Sequence, residues 1–177
     1  MREEATQRVA LVFSLLDADG NGVLESDDFT LMSDRVIAAV PLADRKAKDA
    51  MRAAFEGYWA TLLAELDANG DGKISFTEYS ACVLSPERFD ATITAFAEAL
   101  GALGDPDGDG LIERPDFVAP MTAIGFGRAN IDALFDAFGP TADDRITVRS
   151  WVEGIKDYYA PDKADTPGNH LVTAPVI

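Results

Sequence analysis

Three stretches of this 177-residue chain set carboxylate and amide oxygens where they could converge on a single cation. They read "DADGNGVLESDDF" from Asp17, "DANGDGKISFTEY" from Asp67 and "DPDGDGLIERPDF" from Asp105. Each carries Asp or Asn at positions one, three and five, glycine at six, an aliphatic residue at eight, a carboxylate at twelve and an aromatic ring at thirteen. Alternate residues of a tight loop point inward, so positions one, three and five offer three oxygens. Position seven adds a backbone carbonyl, which needs no particular side chain. An all-oxygen donor set of this kind suits a hard divalent cation, Ca2+ or Mg2+.

The candidate ligands of the first loop are Asp17, Asp19, Asn21, the Val23 carbonyl, Glu25 and Asp28. Those of the second are Asp67, Asn69, Asp71, the Lys73 carbonyl, Ser75 through a bridging water, and Glu78. The third offers Asp105, Asp107, Asp109, the Leu111 carbonyl, Glu113 and Asp116. A bidentate Glu78 at position twelve completes the seven oxygens that calcium accepts and magnesium resists. Ser75 and Glu78 also match a helix capping box, and metal ligation is the reading preferred for Glu78. The first and third loops end instead in the shorter Asp28 and Asp116, which favours six oxygens at shorter range and widens tolerance for Mg2+. Glu25 and Glu113 at position nine either ligate directly, strengthen the local negative field, or simply start a solvated helix. The expectation is three Ca2+ ions, with Mg2+ possible at sites one and three. Five carboxylates crowd the third loop, so repulsion in its ion-free state should be severe, and Pro106 and Pro115 partly rigidify it.

These loops need helices on either side. Val9, Val12, Phe13 and Leu16 follow helical spacing before the first, and Met51, Phe55, Trp59, Leu62, Leu63 and Leu66 do so before the second. Gly22, Gly72 and Gly110 carry the backbone through the sharp turn at position six. Leu24, Ile74 and Ile112 at position eight can form short β-bridges with a partner loop, and Phe29, Tyr79 and Phe117 begin the exiting helices. Ser85-Pro86-Glu87 reads as an N-cap with proline at the first helical position. Gly104, directly ahead of Asp105, predicts an early-fraying helix.

Three loops leave one without a mate, and "LFDAFGPTADDRITVRSWV" supplies a fourth in outline. Setting Ile146 at position eight puts Gly139 at one, Thr141 at three, Asp143 at five, Asp144 at six, Ser150 at twelve and Trp151 at thirteen. Phe135 and Phe138 keep the apolar places before the loop, while the ligands at one and twelve are gone. A structural fourth unit that binds no metal and supports the third is expected.

On these motifs the chain resembles the EF-hand superfamily over roughly residues 3 to 159. The uneven loop starts at 17, 67, 105 and 139 resemble the sarcoplasmic calcium-binding protein and calerythrin-like branch rather than calmodulin. The resemblance implies an all-α fold of four helix-loop-helix EF-hands in two pairs, compact, with short β-bridges between paired loops. The N-terminal pair would span residues 1–84 (hands one and two), the C-terminal pair 85–160 (hand three functional, hand four degenerate), and a tail 161–177. It also implies calcium ion binding and the role of an intracellular calcium buffer or carrier. The alternative is a calcium sensor that exposes an apolar groove to a partner protein. Such grooves are rich in methionine, and only Met32, Met51 and Met121 lie inside this chain.

Composition narrows the partners. Fifteen basic and 31 acidic residues give a formal charge of −16, which argues against nucleic acid and anionic membrane and favours cations. A hydrophobic content of 47% is enough for a substantial core. The lone Cys82 excludes an internal disulfide, fits a reducing compartment, and reads as a small buried residue. "VALVFSLL" follows Glu3 and Glu4 and leads into "DADG" without a small-residue cleavage site, so it reads as an amphipathic helix rather than a leader. A soluble, cytoplasmic, non-enzymatic monomer is expected, for which a protein partner is possible but not required. The sole histidine, His170, sits in a Pro/Gly-containing tail. That tail is either disordered or folds Leu171, Val172, Val176 and Ile177 over an apolar cleft between the lobes.

Overall fold

The computed structural model describes residues 3–67 and 69–172. Within them, four helix-loop-helix units follow one another: α1 (Glu3–Leu16) with α2 (Ser26–Ala38), α3 (Arg45–Leu66) with α4 (Phe76–Val83), α5 (Pro86–Leu103) with α6 (Arg114–Ile124), and α7 (Arg128–Ala137) with α8 (Val148–Tyr159). Two-residue strands β1 (Val23–Leu24) and β2 (Ile74–Ser75) pair antiparallel, with Leu24 opposite Ile74. Strands β3 (Leu111–Glu113) and β4 (Arg145–Thr147) do the same, with Ile112 opposite Ile146. Position eight is thus the bridge residue in all four loops, and the units pair one with two and three with four. All four bridge residues are buried, so each ladder is sealed on one side by the core.

Local chemistry explains where the helices start and stop. Asp44 accepts a hydrogen bond from Ala47 N at 2.7 Å and caps α3, and Thr147 Oγ1 accepts one from Ser150 N at 3.0 Å to cap α8. Gly125 ends α6 in a left-handed conformation (φ 116°). Ser85 stands at the cap of α5 with Pro86 behind it, but its hydroxyl donates to Ala81 O at 2.8 Å instead of accepting from the helix. The expected fraying before the third loop does not occur: α5 runs to Leu103. Tertiary packing overrides glycine's weak propensity there. A Cβ at Gly104 would lie 2.7 Å from the Trp151 ring, and one at Gly101 would lie 3.1 Å from Val148 and Val152. The two glycines let α8 press against α5.

One apolar core runs through both pairs. Tyr58 sits at its centre, edge-on to Phe89 at 4.9 Å and Phe96 at 5.7 Å, and its hydroxyl is bonded to those of Tyr79 (2.7 Å) and Tyr159 (3.3 Å). The three hydroxyls satisfy one another inside the core, which removes the cost of burying them unpaired. Between the pairs an apolar cavity of about 80 Å³ remains, lined by Phe55, Phe96, Leu134, Trp151, Tyr158 and Leu171 among others.

The first part of the tail is ordered onto this core. A 3-10 turn (Pro167–Leu171) buries Leu171, and fully buried Arg8 of α1 holds the segment ahead of it. Arg8 donates to the carbonyls of Tyr158 (2.7 Å), Ala160 (3.0 Å) and Lys163 (3.0 Å), and to Asn169 Oδ1 (3.0 Å). Burial pushes the Arg8 pKa down, and electrostatic interaction with Tyr158, Glu4 and Asp157 opposes that. Val176 and Ile177 lie outside the described residues. Among the described residues, no helix is long and apolar enough to cross a membrane.

Candidate metal centres

The first three loops share one backbone frame, built by the side chain of position one. Asp17 Oδ1 accepts from Asn21 N (3.1 Å) and Oδ2 from Gly22 N (2.9 Å). Asp67 does the same for Asp71 N (2.9 Å) and Gly72 N (3.0 Å), and Asp105 for Asp109 N (3.2 Å) and Gly110 N (3.0 Å). Position three accepts from the same position-five amide: Asp19 at 3.1 Å, Asn69 at 3.0 Å, Asp107 at 3.3 Å. Position five then accepts from position seven, where Asn21, Asp71 and Asp109 bond Val23, Lys73 and Leu111 N at 2.8–2.9 Å. The turn needs left-handed residues, and Gly22 (φ 86°), Gly72 (φ 70°) and Gly110 (φ 84°) provide them. Each network fixes the side chains at positions one, three and five against the loop backbone.

Loops one and three each bring three carboxylates together. Asp17, Asp19 and Asp28 each place one carboxylate oxygen within 4.8 Å of the others, and Asp105, Asp107 and Asp109 do likewise. Three like charges so close fit a bound divalent cation, because its removal leaves them repelling one another. Asp28 at position twelve is held in place by Ala18 N (3.0 Å to Oδ1) and Glu25 N (2.9 Å to Oδ2). Burial pushes its carboxyl above the ordinary range, those two amides oppose the shift, and Asp19 and Asp17 add to it. Burial, with Glu113 and Asp107 beside it, raises Asp116 of the third loop in the same way. Asp116 is not a member of the close group formed by Asp105, Asp107 and Asp109.

In loop two Glu78 takes the capping-box position: its Oε2 accepts from both Ser75 N and Ser75 Oγ at 2.8 Å. The box orients the carboxylate at the loop's end. Ser75 and Glu78 are therefore brought together as a hydrogen-bonded pair. Glu25 in loop one is engaged elsewhere. Its Oε2 accepts from Asn21 Nδ2 at 3.0 Å, and Oε1 lies 3.5 Å from Lys73 Nζ of the neighbouring loop. Glu113 stands at the N-cap of α6 with extended backbone.

The fourth loop keeps the β-bridge and the left-handed turn at position six, and lacks the ligands. Asp144 adopts the left-handed conformation (φ 59°) at the place glycine holds elsewhere, and Thr141 N donates to Arg145 O at 2.8 Å. Ser150 at position twelve bonds Thr147 rather than facing the loop centre. Asp144 and two aspartates of α7 are instead paired with a guanidinium from the third hand. Arg114 donates to both oxygens of Asp144 (2.7 and 2.8 Å), to Asp136 (2.6 Å) and to Asp132 (3.3 Å), and it lies 4.4 Å over the Phe135 ring. Hydrogen bonds to Asp144 and Asp136 raise the Arg114 pKa, and the same pairing lowers that of Asp144.

Arg114, Arg145, Lys73, Asp132 and Asp136 are functional neighbours that loop spacing alone does not reveal. A partial signal exists in the sequence: a basic residue at position seven of the second hand of each pair, Lys73 and Arg145, faces an acidic first loop.

Loop geometry, helix pairing and motif together define the EF-hand fold. The model of the EF hand family matches residues 60–84, which span the end of α3, the second loop and α4. The chain is similar to calerythrin of Saccharopolyspora erythraea, at 23% identity over 163 residues covering 88% of this chain and 92% of that one. Its fold is shared with a Streptomyces coelicolor calcium-binding protein (TM-score 0.72, 24% identity, 90% of this chain and 99% of that chain). The amphioxus sarcoplasmic calcium-binding protein has it too (TM-score 0.70, 18% identity, 99% and 100%).

Proposed function

We propose that the chain binds calcium through its first three loops and serves as an intracellular calcium buffer or carrier. The convergence of three carboxylates within 4.8 Å in loops one and three, on a hydrogen-bond frame that loop two repeats, carries this reading. Similarity to calerythrin and to the sarcoplasmic protein supports it. The second site, ending in Glu78, is calcium-selective, while Asp28 and Asp116 make the first and third mixed Ca2+/Mg2+ sites. Burial of the apolar faces of all four hands in one core favours a buffer. Among the described residues only Leu31 and Leu42 are large hydrophobics that stand exposed. A cytoplasmic monomer without catalytic activity completes the proposal, with the free, buried Cys82 in keeping with a reducing compartment.

Calorimetric titration of ion-free protein, with and without millimolar Mg2+, tests this. The expected result is three equivalents of Ca2+, two of them weakened by Mg2+. Fewer than three equivalents, or equal Mg2+ resistance at all sites, overturns that part of the proposal. The sensor reading has one observation in its favour, because the structurally similar Streptomyces protein is described in terms of calcium-mediated regulation. Strong calcium-dependent binding of a hydrophobic dye would favour it over the buffer.

A further inference from the structure

We propose that Arg145, at position seven of the ligand-poor fourth loop, is an internal competitor that sets how tightly the third loop holds its cation. This rests on the reading of the third loop as a calcium site. The β3–β4 register places Arg145 opposite Glu113, and its Nη1 donates to Asp109 Oδ2 at 3.2 Å. The other Asp109 oxygen accepts from Leu111 N at 2.8 Å, so both are engaged. A cation entering the loop must share Asp109 with the guanidinium or displace it, and meets a positive charge at the rim either way. The contact is only partly solvated: the Arg145 and Asp109 side chains are 30% and 40% exposed. The Arg145 backbone is held by Thr141, whose N donates to Arg145 O and whose Oγ1 accepts from Arg145 N, and Arg145 Nη2 lies 3.8 Å from Asp143.

The first pair repeats the arrangement in weaker form. Lys73, at position seven of loop two, lies 3.5 Å from Glu25 at position nine of loop one, with its side chain 52% exposed. Lys73 also offers its carbonyl to the second loop, so changing it disturbs two sites. Arg145 is the cleaner case, because the fourth loop has no carboxylate at positions one or twelve and the substitution removes no ligand.

The competitor role predicts two effects of opposite sign. Without an ion, the guanidinium relieves repulsion among Asp105, Asp107 and Asp109; with one bound, it repels the ion. Arg145→Gln should therefore lower the stability of the ion-free protein and tighten the third loop about two- to fivefold, the scale of a partly exposed ion pair. Ordinary structural damage would weaken both. Calcium titrations followed at the Gly110 amide by NMR, alongside thermal unfolding of ion-free protein, read the two effects separately. Arg149→Gln makes the same change in net charge on exposed α8, where Arg149 bonds Glu153 at 2.9 Å, and should shift the affinity by less than about 1.5-fold. Arg145→Lys keeps the charge without the planar fork and should fall between wild type and Arg145→Gln. Equal shifts from Arg145→Gln and Arg149→Gln, or a weakened third loop in Arg145→Gln, would overturn the proposal. A wild-type protein that takes up no calcium would overturn the metal reading beneath it, a result distinguishable from either.

Discussion

The third and fourth loops share the bridge and the turn at position six and have opposite contents. Both put an isoleucine at the bridge, Ile112 and Ile146, and both start the exiting helix on an aromatic ring, Phe117 and Trp151, whose centroids lie 4.7 Å apart. Both turn left-handed at position six, by Gly110 in one and Asp144 in the other. The third loop gathers carboxylates around an open centre; the fourth has lost its ligands, and its neighbourhood receives the Arg114 guanidinium. The comparison separates two requirements that the motif combines. Hydrophobic packing, the β-bridge and the left-handed turn make the hand, while the carboxylates at positions one, three, five and twelve make the site. Once the second requirement lapses, a covalently attached cation can neutralise the acidic residues that remain.

The largest effect should come from breaking what the two hands share. Trp151 is buried against Phe117 and Gly104, so Trp151→Ala should cost about 3–5 kcal/mol in denaturant unfolding of the ion-free protein. A loss below about 1 kcal/mol would mean the frame does not depend on that contact. Next comes the ligand set itself. Asp105→Ala should remove one calcium equivalent, weakening that site by more than about a hundredfold, whereas Thr141→Ala in the fourth loop should leave the stoichiometry unchanged. Equal losses from both would erase the distinction between the loops.

The loops and their pairing were legible because their signals are local. Aspartates at alternating places, a glycine at six and an aliphatic at eight recur in fixed order, and Ile146 alone was enough to align the fourth loop. The partners of the charged side chains were not legible in that way. Arg114 and Asp144 meet only after the β3–β4 ladder has formed, and Arg8 finds the Tyr158 carbonyl only once α1 and α8 are packed. The end of α5 is set in the same non-local way. Gly104 suggests fraying when read locally, but it is the surface on which the Trp151 ring rests. At Glu78 the sequence favours ligation over capping, and the structure shows its Oε2 in the capping box.

Removing the internal cation is a smaller perturbation. The acidic partners of Arg114 are about a third or more exposed, so Arg114→Gln should lower the unfolding midpoint of ion-free protein by only about 2–4 °C. The smallest effect, and the sharpest contrast between the two loops, lies in their protons. Burial, with Glu113 and Asp107 close by, puts the Asp116 carboxyl above the ordinary aspartate value, while the hydrogen bonds from Arg114 put Asp144 below it. A raised carboxyl contributes stability that is complete below its unfolded value and is lost as pH rises through its folded value. A depressed one contributes stability present above its unfolded value and lost as pH falls through its folded value. Acidifying the ion-free protein should therefore first relieve Asp116, and Asp28 with it, just above the ordinary aspartate range, and then break the Arg114–Asp144 pair below that range. Carboxyl-detected NMR titration should resolve Asp116 and Asp144 on opposite sides of the free aspartate midpoint. Coincident midpoints would mean that the acids of the two hands feel the same field, and that Arg114 does not stand in for an ion.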